Sequence, residues 1–141
     1  MKILIDTNVL VSAALNPNGV PAAAYKKAAS YPNRGMICEQ NLDELKRIFQ
    51  QKFPRKLAAL EAFLSTARTT LELVPVPKEE MALEAAIRDI DDRPILRAAV
   101  KAGADILLTG DKDFLSSDIT QPAMMSPGEF IAASDSHPHD V

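Results

Sequence analysis

The chain reads KILIDTN over residues 2–8, and this stretch decides the class of fold. Its first four residues form an almost wholly apolar run rich in β-branched side chains, which is typical of a strand buried on both faces of a parallel sheet. Asp6 stands directly after that run. A second apolar run, residues 105–109, predicts another such strand, and Asp111 and Asp113 follow it. Two strands that each lead into an acid therefore lie near opposite ends of the chain.

Predicted helices separate the predicted strands along the whole chain. Apolar residues recur at helical spacing over about residues 9–15, 40–52, 55–68 and 93–101, and Pro21 and Ser126-Pro127-Gly128-Glu129 have the pattern of helix starts. Residues 35–38, 71–74 and 123–125 predict further strands, whereas Met81–Arg88 is ambiguous and is interpreted as helical. Because parallel strands need helical crossovers, this alternation predicts an α/β sandwich with a mostly parallel sheet of four to five strands.

The length and composition indicate one domain. A chain of 141 residues that is 47% hydrophobic can bury a core without disulfides, so residues 1–133 are predicted as a single domain and residues 134–141 as a polar tail. The start lacks the basic and apolar regions of a signal peptide, and no apolar run approaches the roughly 20 residues of a membrane span. We therefore expect a cytoplasmic protein in which Cys38, the only cysteine, is a small core residue.

The acids after the strands are the candidate catalytic residues. Ligands of open α/β sheets bind beyond the carboxyl ends of the strands, where Asp6 and Asp111 are expected, and Glu44 and Asp92 stand near the starts of helices that can begin on the same side. Four carboxylates without a histidine suit Mg²⁺ or Mn²⁺ better than zinc. Such ions can activate water for phosphoryl transfer without a nucleophilic side chain, and the sequence has no Ser/His or Cys/His arrangement.

The motifs resemble those of PIN-domain ribonucleases, most nearly the toxin components of bacterial toxin–antitoxin pairs. The matching stretches are DTNVL at 6–10, EL at 44–45, DRPILRAA at 92–99, GADILLTGDKDF at 103–114 and SPGEF at 126–130. The resemblance implies a three-layer αβα fold, Mg²⁺ or Mn²⁺ dependence, endoribonuclease activity, homodimerisation and a small antitoxin partner. Asp6, Glu44, Asp92 and Asp111 take the four acidic positions of the family. Asp113 is a fifth candidate metal ligand, and Asp91 is an alternative to Asp92.

The net charge of −3 argues against a nucleic-acid partner until the candidate site is set aside. Without its five acids the net charge changes from −3 to +2. Basic residues close to Glu44 in sequence suggest a rim that guides RNA toward the metals; a solvated helix face is the alternative. The members of this basic rim are Lys46, Arg47, Lys52, Arg55 and Lys56.

Structural roles are the alternative for each candidate taken singly. Asp92 could merely cap a helix, Glu44 could merely favour a helix dipole, and the residues around Asp6 and Asp111 could be ordinary turns. Asn8 and Thr109 could hydrogen-bond a carboxylate or water, or serve the turns alone. A non-catalytic PIN-like scaffold that binds RNA or protein is the alternative function. His137 and His139 are interpreted as solvated tail residues.

Overall fold

Five parallel strands form the single sheet of the computed structural model, which describes residues 1–134. The sheet order is β3-β2-β1-β4-β5, so the first strand of the chain is central. Parallel pairing brings the carboxyl ends of all five strands to one edge. The strands are β1 (Lys2–Ile5), β2 (Arg34–Cys38), β3 (Glu72–Val74), β4 (Ile106–Leu108) and β5 (Ala123–Met125).

Seven α-helices connect or follow the strands within residues 1–134. The prediction of proline-led helix starts is confirmed at α2 and α7, where Ser126 and Glu129 also form both hydrogen bonds of a capping box. The helices are α1 (Thr7–Leu15), α2 (Val20–Ala28), α3 (Glu39–Lys52), α4 (Leu57–Thr70), α5 (Arg93–Lys101), α6 (Lys112–Leu115) and α7 (Pro127–Ser134). No helix among these residues is long and apolar enough to cross a membrane.

Two hydrophobic cores cover the two faces of the sheet. Successive strand residues point to opposite faces, so Ile3 and Ile5 join the core beneath α1 to α4 and α7, while Leu4 joins the core beneath α5 and α6. All three side chains are fully buried. The predicted three-layer αβα sandwich is therefore confirmed, with β1 buried on both faces.

Several boundaries differ from those predicted. Strand β4 spans three residues rather than five, although the backbone amides of Asp105 and Thr109 still donate to the Lys2 and Met125 carbonyls of the neighbouring strands. The helix expected over residues 81–88 is only a 3₁₀ helix, Ala82–Ala86, and Ile87 after it is buried in the core. Ser134, placed in the predicted tail, ends α7, and the remaining tail with His137 and His139 lies outside the described residues.

Candidate active site

Asp6 occupies the carboxyl end of the central strand and caps helix α1. Its side chain is 3% exposed. One carboxylate oxygen, Oδ1, accepts a hydrogen bond from the Thr7 backbone amide at 2.8 Å. The other, Oδ2, accepts one from the Thr109 hydroxyl at 2.8 Å and one from the Asn8 side-chain amide at 3.1 Å. Both oxygens are thus held in fixed directions, and Asn8 and Thr109 contact the carboxylate directly.

Asn41 is a buried contact of Asp6 that the sequence analysis missed. Its side-chain amide donates to the Thr7 hydroxyl at 2.7 Å and to Asp6 Oδ1 at 3.4 Å, and its oxygen accepts from the Cys38 thiol at 3.1 Å. Burial raises the pKa of Cys38 to about 11, which fits a core thiol rather than a nucleophile. The available signal was a polar residue on the apolar stripe of α3, one turn before the buried Leu45.

Thr109 links the ends of the two central strands through one hydroxyl. Besides donating to Asp6, the Thr109 oxygen accepts a hydrogen bond from the Asp111 amide at 3.0 Å. Asp111 in turn caps the short helix α6 by accepting from the Asp113 amide at 2.9 Å. No helix was predicted at this point, because four residues carry too little periodicity. Asp111 therefore reaches the same edge of the sheet as Asp6.

Asp92 is the last residue of a 3₁₀ helix, Ile90–Asp92, and directly precedes α5. Its Oδ2 atom is buried and has no hydrogen-bond partner among residues 1–134. The Asp92 side chain makes no capping hydrogen bond to α5. Asp91 is exposed, and its amide donates to the Asp89 side chain. The geometry therefore favours Asp92 over Asp91 as the inward-facing acid, and it does not support capping as the role of Asp92.

The electrostatic coupling of the acids shows that they share one region. Burial, followed by the negative charges of Glu44 and Asp111, raises the pKa of Asp6 to about 6 against the lowering effect of its hydrogen bonds. Burial, contact with the Asp111 carboxyl and the charges of Asp6 and Asp89 raise the pKa of Asp92 to about 8. Asp6 is thus within electrostatic reach of Glu44, Asp92 and Asp111, and Asp92 is within reach of Asp111.

Glu44 approaches this region from α3. It is half-buried and is the sixth residue of that helix, so it lies in the second turn rather than the first. Glu39 occupies the first turn instead. The interpretation of Glu44 as a partner of the helix dipole was therefore wrong, because that effect fades beyond the first turn.

Asp89 adds an acid that the sequence analysis did not single out. Carboxylate oxygens of Asp89, Asp92 and Asp113 all lie within 4.8 Å of one another. Asp113 is also paired with Arg88, whose guanidinium is 3.1 Å from its Oδ1 atom, so part of its charge is already compensated. Asp113 therefore differs from Asp89 and Asp92 in having a salt-bridge partner among residues 1–134.

The donor set fits a hard divalent cation. Carboxylate oxygens dominate the cluster, the nearby Cys38 thiol is engaged by Asn41, and a buried carboxylate oxygen of Asp92 has no partner among the described residues. Carboxylates that repel one another in a partly buried site favour binding of a cation that neutralises them. Among the described residues, Asp89, Asp92 and Asp113 have oxygens close enough to share one ion, and Asp6 and Asp111 are electrostatically coupled to Asp92.

The raised pKa values predict that the metal-free protein loses stability as pH rises. An unfolded aspartate has a pKa of about 3.9, whereas folding raises the pKa of Asp6 to about 6 and that of Asp92 to about 8. The stabilisation from these protonated groups is complete below the unfolded pKa and is lost as pH passes through the folded values.

In EDTA, we expect the Tm measured by calorimetry to fall between about pH 5 and about pH 8.5, and Mn²⁺ to restore most of the loss at the higher pH. Glu84, whose pKa is lowered by its hydrogen bonds to Arg97, contributes a change of opposite sign, but only at more acidic pH. A Tm in EDTA that rises over this interval would contradict the expectation.

Comparisons with known proteins give one family model and one relative that match most of the chain. A family model described as PIN domain matches residues 2–113. The uncharacterized protein MJ1680 of Methanocaldococcus jannaschii is 28% identical over 121 residues, which cover 82% of this chain and 74% of that protein.

Two solved structures share the fold. The VapBC2 structure from Rickettsia felis, bound to a promoter DNA fragment, has a TM-score of 0.66 at 19% identity, covering 89% of this chain and 98% of the other. The structure of PAE2754 from Pyrobaculum aerophilum has a TM-score of 0.63 at 15% identity, covering 97% of both chains.

Proposed function

Because the chain belongs to the PIN domain family, we propose that it is an Mg²⁺- or Mn²⁺-dependent endoribonuclease that hydrolyses RNA phosphodiester bonds. The observation that carries the proposal is the rigidly held, buried Asp6 at the end of the central strand, electrostatically coupled to Glu44, Asp92 and Asp111. A non-catalytic scaffold has no need to hold several mutually repelling acids together around a buried one. The coupled acids are therefore better explained by a cation site.

Asp6, Asp92 and Asp111 would hold the cation, with Glu44, Asp89 and Asp113 as further acids around it. A bound divalent ion would supply an activated water and stabilise negative charge on the phosphate. The protein's own contribution is to fix the carboxylates, since Thr109 and Asn41 hold Asp6 in one orientation. Within residues 1–134 the hydroxyl and thiol groups next to Asp6 are already hydrogen-bonded, so none is free to act as a nucleophile.

Three members of the basic rim lie on α3, whereas Arg55 and Lys56 follow it in a 3₁₀ helix, Pro54–Lys56. At 3.6 residues per turn, Arg47 lies about 60° from Glu44 around the helix axis, whereas Lys46 lies about 160° away. Arg47 is exposed and Lys46 is half-buried. Lys52, Arg55 and Lys56 are exposed farther along, with Lys52 about 12 Å from Glu44 along the axis. We propose that RNA approaches along the flank of α3 that carries Glu44 and Arg47.

We also propose that the chain is the toxin component of a toxin–antitoxin pair. The support is the resemblance of its motifs to such toxins, and one structure of the same fold is a VapBC2 assembly bound to promoter DNA. A small antitoxin protein and a second copy of the chain are the partners that this role implies. Co-expression with the product of an adjacent small reading frame would test the antitoxin directly.

The proposed activity predicts a strict metal requirement. We expect cleavage of a random-sequence pool of labelled RNA oligonucleotides with Mg²⁺ or Mn²⁺, and none in excess EDTA. Ca²⁺ is expected to bind without supporting turnover, because its longer and looser coordination suits catalysis poorly. The measurement is the initial rate of product formation on denaturing gels, with the metal-free protein checked for RNA binding. Cleavage that persists in EDTA would contradict the proposal, and binding without cleavage under any metal would favour the scaffold.

A further inference from the structure

A buried ion pair joins helix α5 to the segment that carries two of the clustered acids. Arg97 of α5 is 9% exposed and Glu84 is 4% exposed. The guanidinium binds the carboxylate in a bidentate manner, with Nε to Oε2 and Nη2 to Oε1 both at 2.8 Å. The third guanidinium nitrogen, Nη1, donates to the Pro77 carbonyl at 2.8 Å. Both charged groups therefore make more than one hydrogen bond.

The segment held by this pair is residues 77–92, which connect β3 to α5. It contains no strand and no α-helix, only the 3₁₀ helices Ala82–Ala86 and Ile90–Asp92. Glu84 also accepts a hydrogen bond from the Met81 amide at 2.6 Å, and Arg93 of α5 donates to the Ile87 carbonyl at 2.8 Å. Helix α5 thus holds the segment on both sides of the first 3₁₀ helix, shortly before Asp89 and Asp92.

The energetics of a buried ion pair indicate that Glu84 and Arg97 position the segment rather than stabilise the fold. Taking two charges out of water costs several kcal/mol per ion in general, and apolar residues of similar volume often stabilise a fold equally well. Since the two charges neutralise each other, the pair changes the cation site through position and not through net charge. An irregular segment lacks the backbone ladders that fix residues in helices and strands, so its side-chain bonds must set its path.

We propose that Arg97 and Glu84 are positioning residues that hold Asp89 and Asp92 in register with Asp111 and Asp113 for cation binding. The inference rests on the proposed metal-dependent function. Loosening of the segment would let Asp89 and the preceding turn move relative to Asp92, at the start of α5. The expected cost is the range found when groups that orient metal ligands are removed, about 10- to 100-fold in metal affinity.

The test replaces the pair in two ways and measures Mn²⁺ affinity by calorimetry together with Tm. The double variant Glu84→Leu/Arg97→Met removes both charges while keeping apolar volume, and Arg97→Lys keeps the charge but loses the bidentate geometry. The matched control is Arg34→Gln/Glu72→Gln, which removes the exposed pair between β2 and β3. We expect Mn²⁺ affinity to fall at least about tenfold in both pair variants and to stay unchanged in the control.

An unchanged Mn²⁺ affinity in a folded double variant would overturn the inference while leaving the proposed function intact. If the double variant fails to fold, the Arg97→Lys protein decides in the same way. A wild-type protein that neither binds Mn²⁺ nor cleaves RNA would overturn the proposed function, and the inference with it. Cleavage rates at saturating Mn²⁺ that recover toward the wild-type value in Arg97→Lys would support a positioning role over a direct one.

Discussion

Replacing Asp6 with Asn is expected to lower RNA cleavage by orders of magnitude while metal-free RNA binding stays equal or tightens slightly. The amide keeps the size of the carboxylate, and its oxygen can still accept a hydrogen bond from the Thr7 backbone amide, while its NH₂ group faces Thr109 and Asn8 in place of the second carboxylate oxygen. It removes one negative charge that repels phosphate and one ligand of the proposed cation. Chemistry and binding should therefore separate in this variant.

The matched comparison is Arg47→Gln, with Lys46→Gln as its control on the other flank of α3. Arg47→Gln is expected to weaken RNA binding and to reduce the salt dependence by about 0.7 to 0.9 units of logarithmic slope for the lost phosphate contact. The Lys46 variant should change neither quantity. RNA affinity across a salt series in EDTA, alongside single-turnover cleavage at saturating RNA and Mn²⁺, measures both effects.

Two outcomes would contradict this separation. If RNA affinity has the same salt dependence in the wild-type protein, Lys46→Gln and Arg47→Gln, the basic rim is only a solvated surface. Loss of RNA binding in Asp6→Asn, in a protein whose Tm is unchanged, would show that the acid acts on substrate binding rather than on the chemical step.

A second large difference is expected between Asp92→Asn and Asp113→Asn. Asp92 has a buried oxygen without a hydrogen-bond partner among the described residues, and Asp111 and burial raise its pKa to about 8. Its neutral variant should lose cleavage by orders of magnitude, yet the metal-free protein should gain stability near neutral pH, because Asp92 must bind a proton or bury a charge on folding and Asn does neither. Asp113, already paired with Arg88, should show a milder loss of cleavage and no gain in stability.

Single-turnover rates with Mn²⁺ and melting temperatures in EDTA test this pair of variants. We expect Asp92→Asn to cleave RNA more slowly and to melt at a higher temperature. This combination indicates an acid that destabilises the metal-free protein and serves to bind a cation. Equal losses of rate at positions 92 and 113 would show that Asp113 belongs to the centre of the site. A lower Tm for Asp92→Asn would mean that the carboxylate is satisfied by a contact that the amide cannot make.

The elements with strong periodicity were predictable from sequence, and the irregular ones were not. The buried runs at β1 and β4, the stripe of α3 and the capping box of α7 each combine a local pattern with a physical reason. The segment at residues 77–92 follows none of these patterns, since its path depends on the long-range pair Glu84–Arg97. Asp89 was missed for that reason, because its approach to Asp113 depends on tertiary packing.

The candidate acids were found because they stand next to predictable elements. Asp6 and Asp111 each follow a strand, and Asp92 precedes a helix. Asn41 was missed because a single polar residue among Leu45 and Phe49 gives no indication of what it touches. Its contact with Thr7 joins positions 34 residues apart. Sequence patterns indicated the candidate acids, while the side chains that orient them depend on the fold.

The central position of β1 has a consequence for synthesis of the chain. Strand β1 is synthesised before its neighbour β4, and the Asp6 carboxylate after β1 meets Thr109 only when 103 further residues have been added. Strands β2 and β3, with the helices between them, are made in that interval. While these elements are synthesised, Asp6 therefore lacks the partners that would make it part of a site.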